Sequence, residues 1–72
     1  MQTNAQTGVN NRLRGFRQAR GLALYGLAAL ARVSPTTLSA IERWGYRPTD
    51  GVRLRIASAL GVHVHDIWPA GE

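Results

Sequence analysis

The chain has 72 residues, with nine arginines, no lysine and four acidic residues, which give a formal net charge of +5. This length predicts a single small domain with no room for a deep catalytic cleft. The lack of cysteine excludes disulfides and thiolate metal sites, and no apolar run reaches the roughly 20 residues needed to span a bilayer.

The charge is unevenly distributed along the chain. Residues 1–32 contain five arginines and no acid, whereas residues 33–72 contain four arginines and four acids. A strongly basic segment indicates a polyanionic partner, and nucleic acid is favoured over a membrane surface. A merely solvated basic surface is the alternative. Because paired carboxylates, a nucleophile beside a histidine and a phosphate-binding loop are all missing, we expect no enzyme, no metal and no cofactor.

The beginning of the chain differs in composition from the rest. Residues 1–9 are polar and lack periodicity, which predicts a flexible N-terminal arm, and no secretory signal is expected there. The apolar residues are concentrated in residues 10–69, which predicts one domain, and residues 70–72 form a short tail.

Apolar residues at helical spacing predict two short helices at the start of the domain, over residues 11–20 and 24–31. Gly21 follows the first helix and is predicted to end it in a left-handed conformation. The second helix is nearly all apolar, with leucines at positions 24, 27 and 30.

Ser34 and Pro35 mark the start of a third helix, because serine is a preferred N-cap and proline a preferred first helical residue. This helix is predicted over residues 35–43. A fourth helix, capped by Thr49 or Asp50, is predicted to run to about residue 60 with Leu54 on its apolar side, and one further turn follows at residues 65–68. Five short helices of this kind predict an all-α orthogonal bundle.

The second and third helices are joined by only three residues, 32–34, and the third has a small, polar outward face. This layout is typical of a helix-turn-helix, in which the second helix of the pair enters a major groove about 12 Å wide.

The segments LRGFRQARGLALYGLAALARVSPTTLSAIERW and RIASALGV resemble the Cro/phage-repressor (XRE) helix-turn-helix family across residues 12–68. Within that family, GLALYGLA, SPTTLS and ALGVHVHDIWP are most similar to the Ner-like (Nlp) regulators of transposable phages. The resemblance implies a compact five-helix, lambda-repressor-like domain. It also implies a sequence-selective transcriptional regulator, a repressor, that binds double-stranded DNA in the bacterial cytoplasm.

The resemblance implies that the third helix faces the groove with Pro35, Thr36, Ser39, Ala40 and Arg43. The charge distribution on both sides of that helix adds Arg12, Arg14, Arg32 and Arg47, and Ser34 and Thr37 complete the predicted DNA-binding set. We expect the arginines of this set to contact phosphates, although Arg43 can instead bind a guanine edge. The hydroxyls of Thr36 and Ser39 can donate or accept at base edges, and Ala40 suits a thymine methyl group.

The same resemblance places Leu27 and Leu30 in the packed core. It also pairs Arg17 with Glu42 in a buried ion pair that ties the first helix to the third. Two exposed, unpaired charges are the alternative. Arg32 stands where the family usually has glycine or asparagine, and a left-handed arginine costs about 1 kcal/mol relative to glycine.

Several alternatives remain open. Ile67 and Trp68 are candidate dimer contacts or internal core residues, and Trp44 and Tyr46 either pack over their loop or stack on DNA. Double-stranded DNA is the expected partner, with a homodimer left open and no small-molecule effector expected. A protein–protein interaction or antitoxin-type module on the same fold is the alternative function.

Overall fold

The structure, a computed structural model, describes residues 11–69, so the predicted arm over residues 1–9 and the tail over residues 70–72 lie outside the described residues. Between residues 11 and 69 the chain forms five α-helices and no strand, which confirms the predicted all-α class. The helices are α1 (Leu13–Ala19), α2 (Leu24–Ala31), α3 (Pro35–Trp44), α4 (Asp50–Leu60) and α5 (Val64–Ile67). None of these five is long and apolar enough to cross a membrane.

The helices enclose one apolar core. The second helix packs against both α3 and α4, while α1 packs on α3 and α5 packs on α4. Every helix contributes to the set of fully buried large side chains, which comprises Leu13, Leu27, Leu38, Ile41, Ile56, Leu60 and Ile67. Because each helix buries only one stripe in this shared core, none is expected to be stable alone.

The starts of α3 and α4 follow from side-chain caps. Ser34 Oγ accepts a hydrogen bond from the backbone N–H of Thr37 at 3.0 Å, and Pro35 occupies the first turn, which confirms the predicted start of α3. Of the two predicted caps of α4, the structure selects Thr49, whose Oγ1 accepts from the N–H of Val52 at 3.4 Å.

Several helix ends differ from the predicted bounds by one or two residues, and two of these differences have a clear local cause. The first helix begins at Leu13 rather than at residue 11, because Asn11 lies outside the helix and its Oδ1 accepts from the N–H of Leu13 at 3.1 Å. The third helix continues to Trp44 and ends at Gly45, whose φ of 72° is the left-handed conformation that glycine adopts without steric cost.

The predictions that Leu30 is buried and that Leu54 packs on the apolar side of α4 are wrong, because these residues are 61% and 60% exposed. The inward face of α2 is formed by Leu27, Ala28 and Ala31, and Leu30 lies on its flank. Both leucines line a shallow open groove of about 440 Å³ between α2 and α4. The apolar residues of α2 and α4 therefore span a wider arc than the shared core covers.

Candidate nucleic-acid interface

Three residues join α2 to α3 and hold the two helices in a fixed turn. Arg32 ends α2 in a left-handed conformation, Val33 is 9% exposed within the core, and Ser34 begins α3. The N–H of Val33 donates to the carbonyl of Ala28 at 3.0 Å. The turn is therefore anchored by both packing and backbone hydrogen bonds.

The third helix has two chemically distinct faces. Leu38, Ile41 and Glu42 are buried, whereas the opposite side is exposed or half-buried. The outward side carries Pro35, Thr36, Ser39, Ala40 and Arg43. These predicted groove residues therefore share one face, and with the exception of Arg43 their side chains are small enough for close approach to a base edge.

Ser34 and Thr37, also predicted to contact DNA, are engaged with each other. Ser34 Oγ donates to Thr37 Oγ1 at 2.9 Å while it accepts from the Thr37 N–H. These bonds use the single proton of the Ser34 hydroxyl within the helix cap. Ser34 remains exposed, so it can still accept a further hydrogen bond.

Arg32 is the one residue other than glycine that has a positive φ, 59°, in the part of the chain that the structure describes. Its carbonyl accepts from Arg55 Nη2 at 3.3 Å, and the neighbouring Ala31 carbonyl accepts from Arg55 Nε at 3.2 Å. Arg55 thus satisfies carbonyls at the C-terminal end of α2, where a positive charge is also favourable. Nothing in the sequence pattern indicated this role.

The Arg32→Gly variant is expected to raise the free energy of unfolding by about 1 kcal/mol, because it removes a side chain from a left-handed position. Urea denaturation followed by circular dichroism measures this change. The matched control is Gly61→Ala, at the left-handed end of α4 with no heavy atom near an added Cβ, and it should lose a similar amount. A destabilised Arg32→Gly protein would contradict the expectation.

The five arginines predicted to contact phosphates are all exposed. They are Arg12, Arg14, Arg32, Arg43 and Arg47. One hydrogen bond links the start of α1, which lies next to Arg12 and Arg14, to α3. Asn11 Nδ2 donates this bond to the carbonyl of Ile41 at 3.0 Å. Asn11 was assigned no role from the sequence. It holds the start of α1, and with it Arg12, beside the C-terminal half of α3.

Arg17 and Glu42 meet in a two-pronged ion pair between α1 and α3. Arg17 Nε donates to Glu42 Oε2 at 2.7 Å, and Nη2 donates to Oε1 at 3.0 Å. The two side chains retain only 12% and 4% of their exposure. The planar guanidinium matches the carboxylate at both oxygens, and this geometry is the strong form of a charged hydrogen bond.

The remaining part of the Arg17 guanidinium is also satisfied. Nη1 donates to the carbonyl of Leu22 at 2.8 Å, so one side chain connects α1, the α1–α2 connection and α3. The hydrogen bond to Glu42 raises the pKa of Arg17 above its ordinary value and outweighs burial, which lowers it. Arg17 is therefore charged throughout the ordinary pH range.

Ile67 and Trp68, predicted to be either dimer contacts or core residues, are buried within the single chain, where they are 0% and 4% exposed. The physical reason is that α5 closes the bundle against α4. The guanidinium of Arg53 lies 6.0 Å from the centre of the Trp68 ring, within range of a cation–π contact.

Trp44 and Tyr46 do not pack over the loop that follows α3. Trp44 is 77% exposed and Tyr46 is 51% exposed. Trp44 is the last residue of α3, one residue beyond the predicted end. Both aromatic side chains are therefore largely in solvent, one at the end of α3 and one in the loop after it.

Comparison with known proteins also indicates a helix-turn-helix domain. A family described as a helix-turn-helix domain matches residues 11–67. The chain is 41% identical over 61 residues to the HTH-type transcriptional regulator DdrOP3 of Deinococcus deserti, a match that covers 85% of this chain and 47% of the relative. The chain thus spans about half the length of that curated relative.

Two solved structures share the fold. The restriction-modification controller protein C.AhdI from Aeromonas hydrophila superimposes with a TM-score of 0.72 at 29% identity, covering 76% of this chain and 83% of that one. The clp gene regulator ClgR from C. glutamicum gives a TM-score of 0.67 at 39% identity, covering 75% and 70%.

Proposed function

The chain belongs to the phage-repressor (XRE) type of helix-turn-helix family, and we propose that it acts as a DNA-binding transcriptional regulator. The observation that carries the proposal is the outward face of α3, which is lined by small side chains and lies beside exposed arginines. Inserted into a major groove, this face reads base edges while the arginines neutralise phosphates. The resemblance to the Ner-like regulators adds that the outcome is repression.

The partner is double-stranded DNA, and binding is sequence-selective. Selection of bound duplexes from a random pool, followed by footprinting, tests this directly. We expect a consensus with protection centred on one face of the duplex, and a palindromic consensus would indicate that the chain binds as a homodimer. A pool that shows no enrichment over several rounds would contradict selective binding.

The Arg43→Ala variant separates the two roles considered for Arg43. If Arg43 contacts a phosphate, affinity falls evenly across sequences and the salt slope changes by about 0.9. If Arg43 binds a guanine edge, about 1–3 kcal/mol of discrimination disappears at one base pair. Competition binding against point-substituted duplexes measures both quantities.

Arg43→Lys is the matched control, because lysine keeps the charge but loses the planar fork. If Arg43 contacts a phosphate, Arg43→Lys should keep the salt slope of the unsubstituted protein. If Arg43 binds a guanine edge, Arg43→Lys should lose the discrimination at that base pair. If Arg43→Ala leaves both the affinity and the footprint unchanged, Arg43 does not contact DNA.

A second candidate function, a protein–protein interaction module, is favoured by the exposed Leu30 and Leu54 side chains. Large apolar side chains that share one surface groove are typical of partner contacts. Chemical-shift mapping with the selected duplex discriminates the candidates. Shifts across residues 32–47 support DNA binding, and the absence of shifts there would favour the interaction module.

A further inference from the structure

A cleft of about 360 Å³ lies on the outward face of α3, where the start of α2 approaches it. Leu24 and Tyr25 of α2 line one part of the cleft, and Pro35, Ala40 and Trp44 of α3 line another. The two aromatic rings are largely exposed, at 72% for Tyr25 and 77% for Trp44. These two large rings remain in solvent, unlike the apolar side chains of the core. They lie on the face that the proposed function directs toward DNA.

The remaining lining of the cleft consists of the hydroxyl-bearing residues Thr36 and Ser39. Among the described residues that line it, none carries a charge or an amide group. The side chains that read adenine or guanine by paired hydrogen bonds, such as asparagine, glutamine and arginine, are therefore missing from the cleft. Its chemistry suits an apolar group with a polar neighbour.

Building on the proposed function, we propose that this cleft binds the C5-methyl group of a pyrimidine in the major groove, from thymine and 5-methylcytosine alike. The C5-methyl is the apolar group that a base edge displays in that groove. The occupant follows from continuity with α3, because a base edge facing Thr36 and Ala40 also faces the cleft.

The hydroxyls explain why the two methylated bases are treated alike. Beside its methyl group, thymine displays the O4 acceptor, whereas 5-methylcytosine displays the N4 amino donor. A threonine or serine hydroxyl can donate to the first or accept from the second. Thr36 and Ser39 therefore tolerate either exocyclic group, and the apolar cleft supplies the selectivity for the methyl.

The test uses the duplex selected from the random pool and changes only methyl groups. Each thymine is replaced in turn by uracil, and at the same positions a C·G pair is compared with its 5-methylcytosine counterpart. At the position that faces the cleft, we expect the methyl group to raise the affinity about fourfold, for thymine over uracil and for 5-methylcytosine over cytosine. Fourfold corresponds to the free energy gained by burying one carbon. At other positions the ratio should be near one.

Two variants assign the effect to the cleft. Leu24→Ala and Tyr25→Ala should each bring the methyl ratio close to one, and since Tyr25 is largely exposed, its replacement leaves the core intact. Leu54→Ala, an exposed leucine that does not line this cleft, is the matched control and should keep the full ratio.

The outcomes distinguish this inference from the proposed function. Two results overturn the cleft assignment and leave DNA binding standing. One is a selected duplex that binds tightly but shows no methyl effect at any position. The other is a methyl effect that persists in both cleft variants. A methyl effect for thymine but not for 5-methylcytosine overturns the claim that the hydroxyls tolerate both bases. Failure to bind any duplex overturns the proposed function itself.

Discussion

The Glu42→Ala variant is expected to lose about 3–5 kcal/mol of its free energy of unfolding, because it leaves the Arg17 guanidinium buried without its partner. The Arg17 side chain retains only 12% of its exposure, so the guanidinium cannot recover its full hydration without opening the bundle. A domain of this size has a total free energy of unfolding on the order of 5 kcal/mol. Urea denaturation followed by circular dichroism should therefore find only about 0–2 kcal/mol left, so that the variant unfolds at low urea concentrations.

The Asp50–Arg53 ion pair on α4 is the control, because its acidic partner differs from Glu42: the Asp50 side chain is 86% exposed, although that of Arg53 retains only 15%. Asp50→Asn should cost at most about 1 kcal/mol. The double variant Arg17→Met/Glu42→Leu should be more stable than Glu42→Ala, because replacing both charges by apolar groups of similar volume removes the unpaired ion. Equal losses for Asp50→Asn and Glu42→Ala would show that burial of the Arg17–Glu42 pair carries no special weight.

DNA binding is expected to weaken steeply with salt. If five arginines each neutralise one phosphate, the slope of log affinity against log salt is about −4.5, which corresponds to a loss of about 500-fold between 50 and 200 mM. Fluorescence anisotropy with the selected duplex across that range measures the slope. Replacing Arg12, Arg14 or Arg32 by alanine should make the slope shallower by about 0.9 each.

Arg20 is the matched control, because it is an exposed arginine at the end of α1 outside the set expected to contact phosphates. Arg20→Ala should leave the slope almost unchanged. An affinity that hardly varies between the two salt concentrations would contradict the assignment of the arginines to phosphates. A slope that falls equally for Arg20→Ala would show that net charge, rather than position, controls binding.

Local sequence signals predicted the helices well. Ser34 with Pro35 identified the start of α3, and Gly21 and Gly61 have the left-handed φ that ends helices. These features depend on a few neighbouring residues, so one sequence is enough to read them. The pairing of Arg17 with Glu42 required the family resemblance, because the two residues lie 25 positions apart.

Other features depended on long-range geometry that no local pattern encodes. Leu30 and Leu54 look like core residues by spacing, yet the helix arrangement leaves both outside. Arg55 looks like a surface charge, but it reaches carbonyls 23 and 24 positions earlier in the chain. Trp68 is buried because α5 closes on α4, and the sequence left that open.

The two faces of α3 have a consequence for how such a regulator can evolve. The contacts that hold the helix in place come from Leu38, Ile41 and Glu42 on its inner side, while Thr36 and Ser39 on the outer side contribute little to the core. Mutations at the outer positions can redirect the protein to new target sites at small cost in stability. A duplicated copy of this domain could therefore diverge in target preference through a few substitutions on this face, while its scaffold stays unchanged.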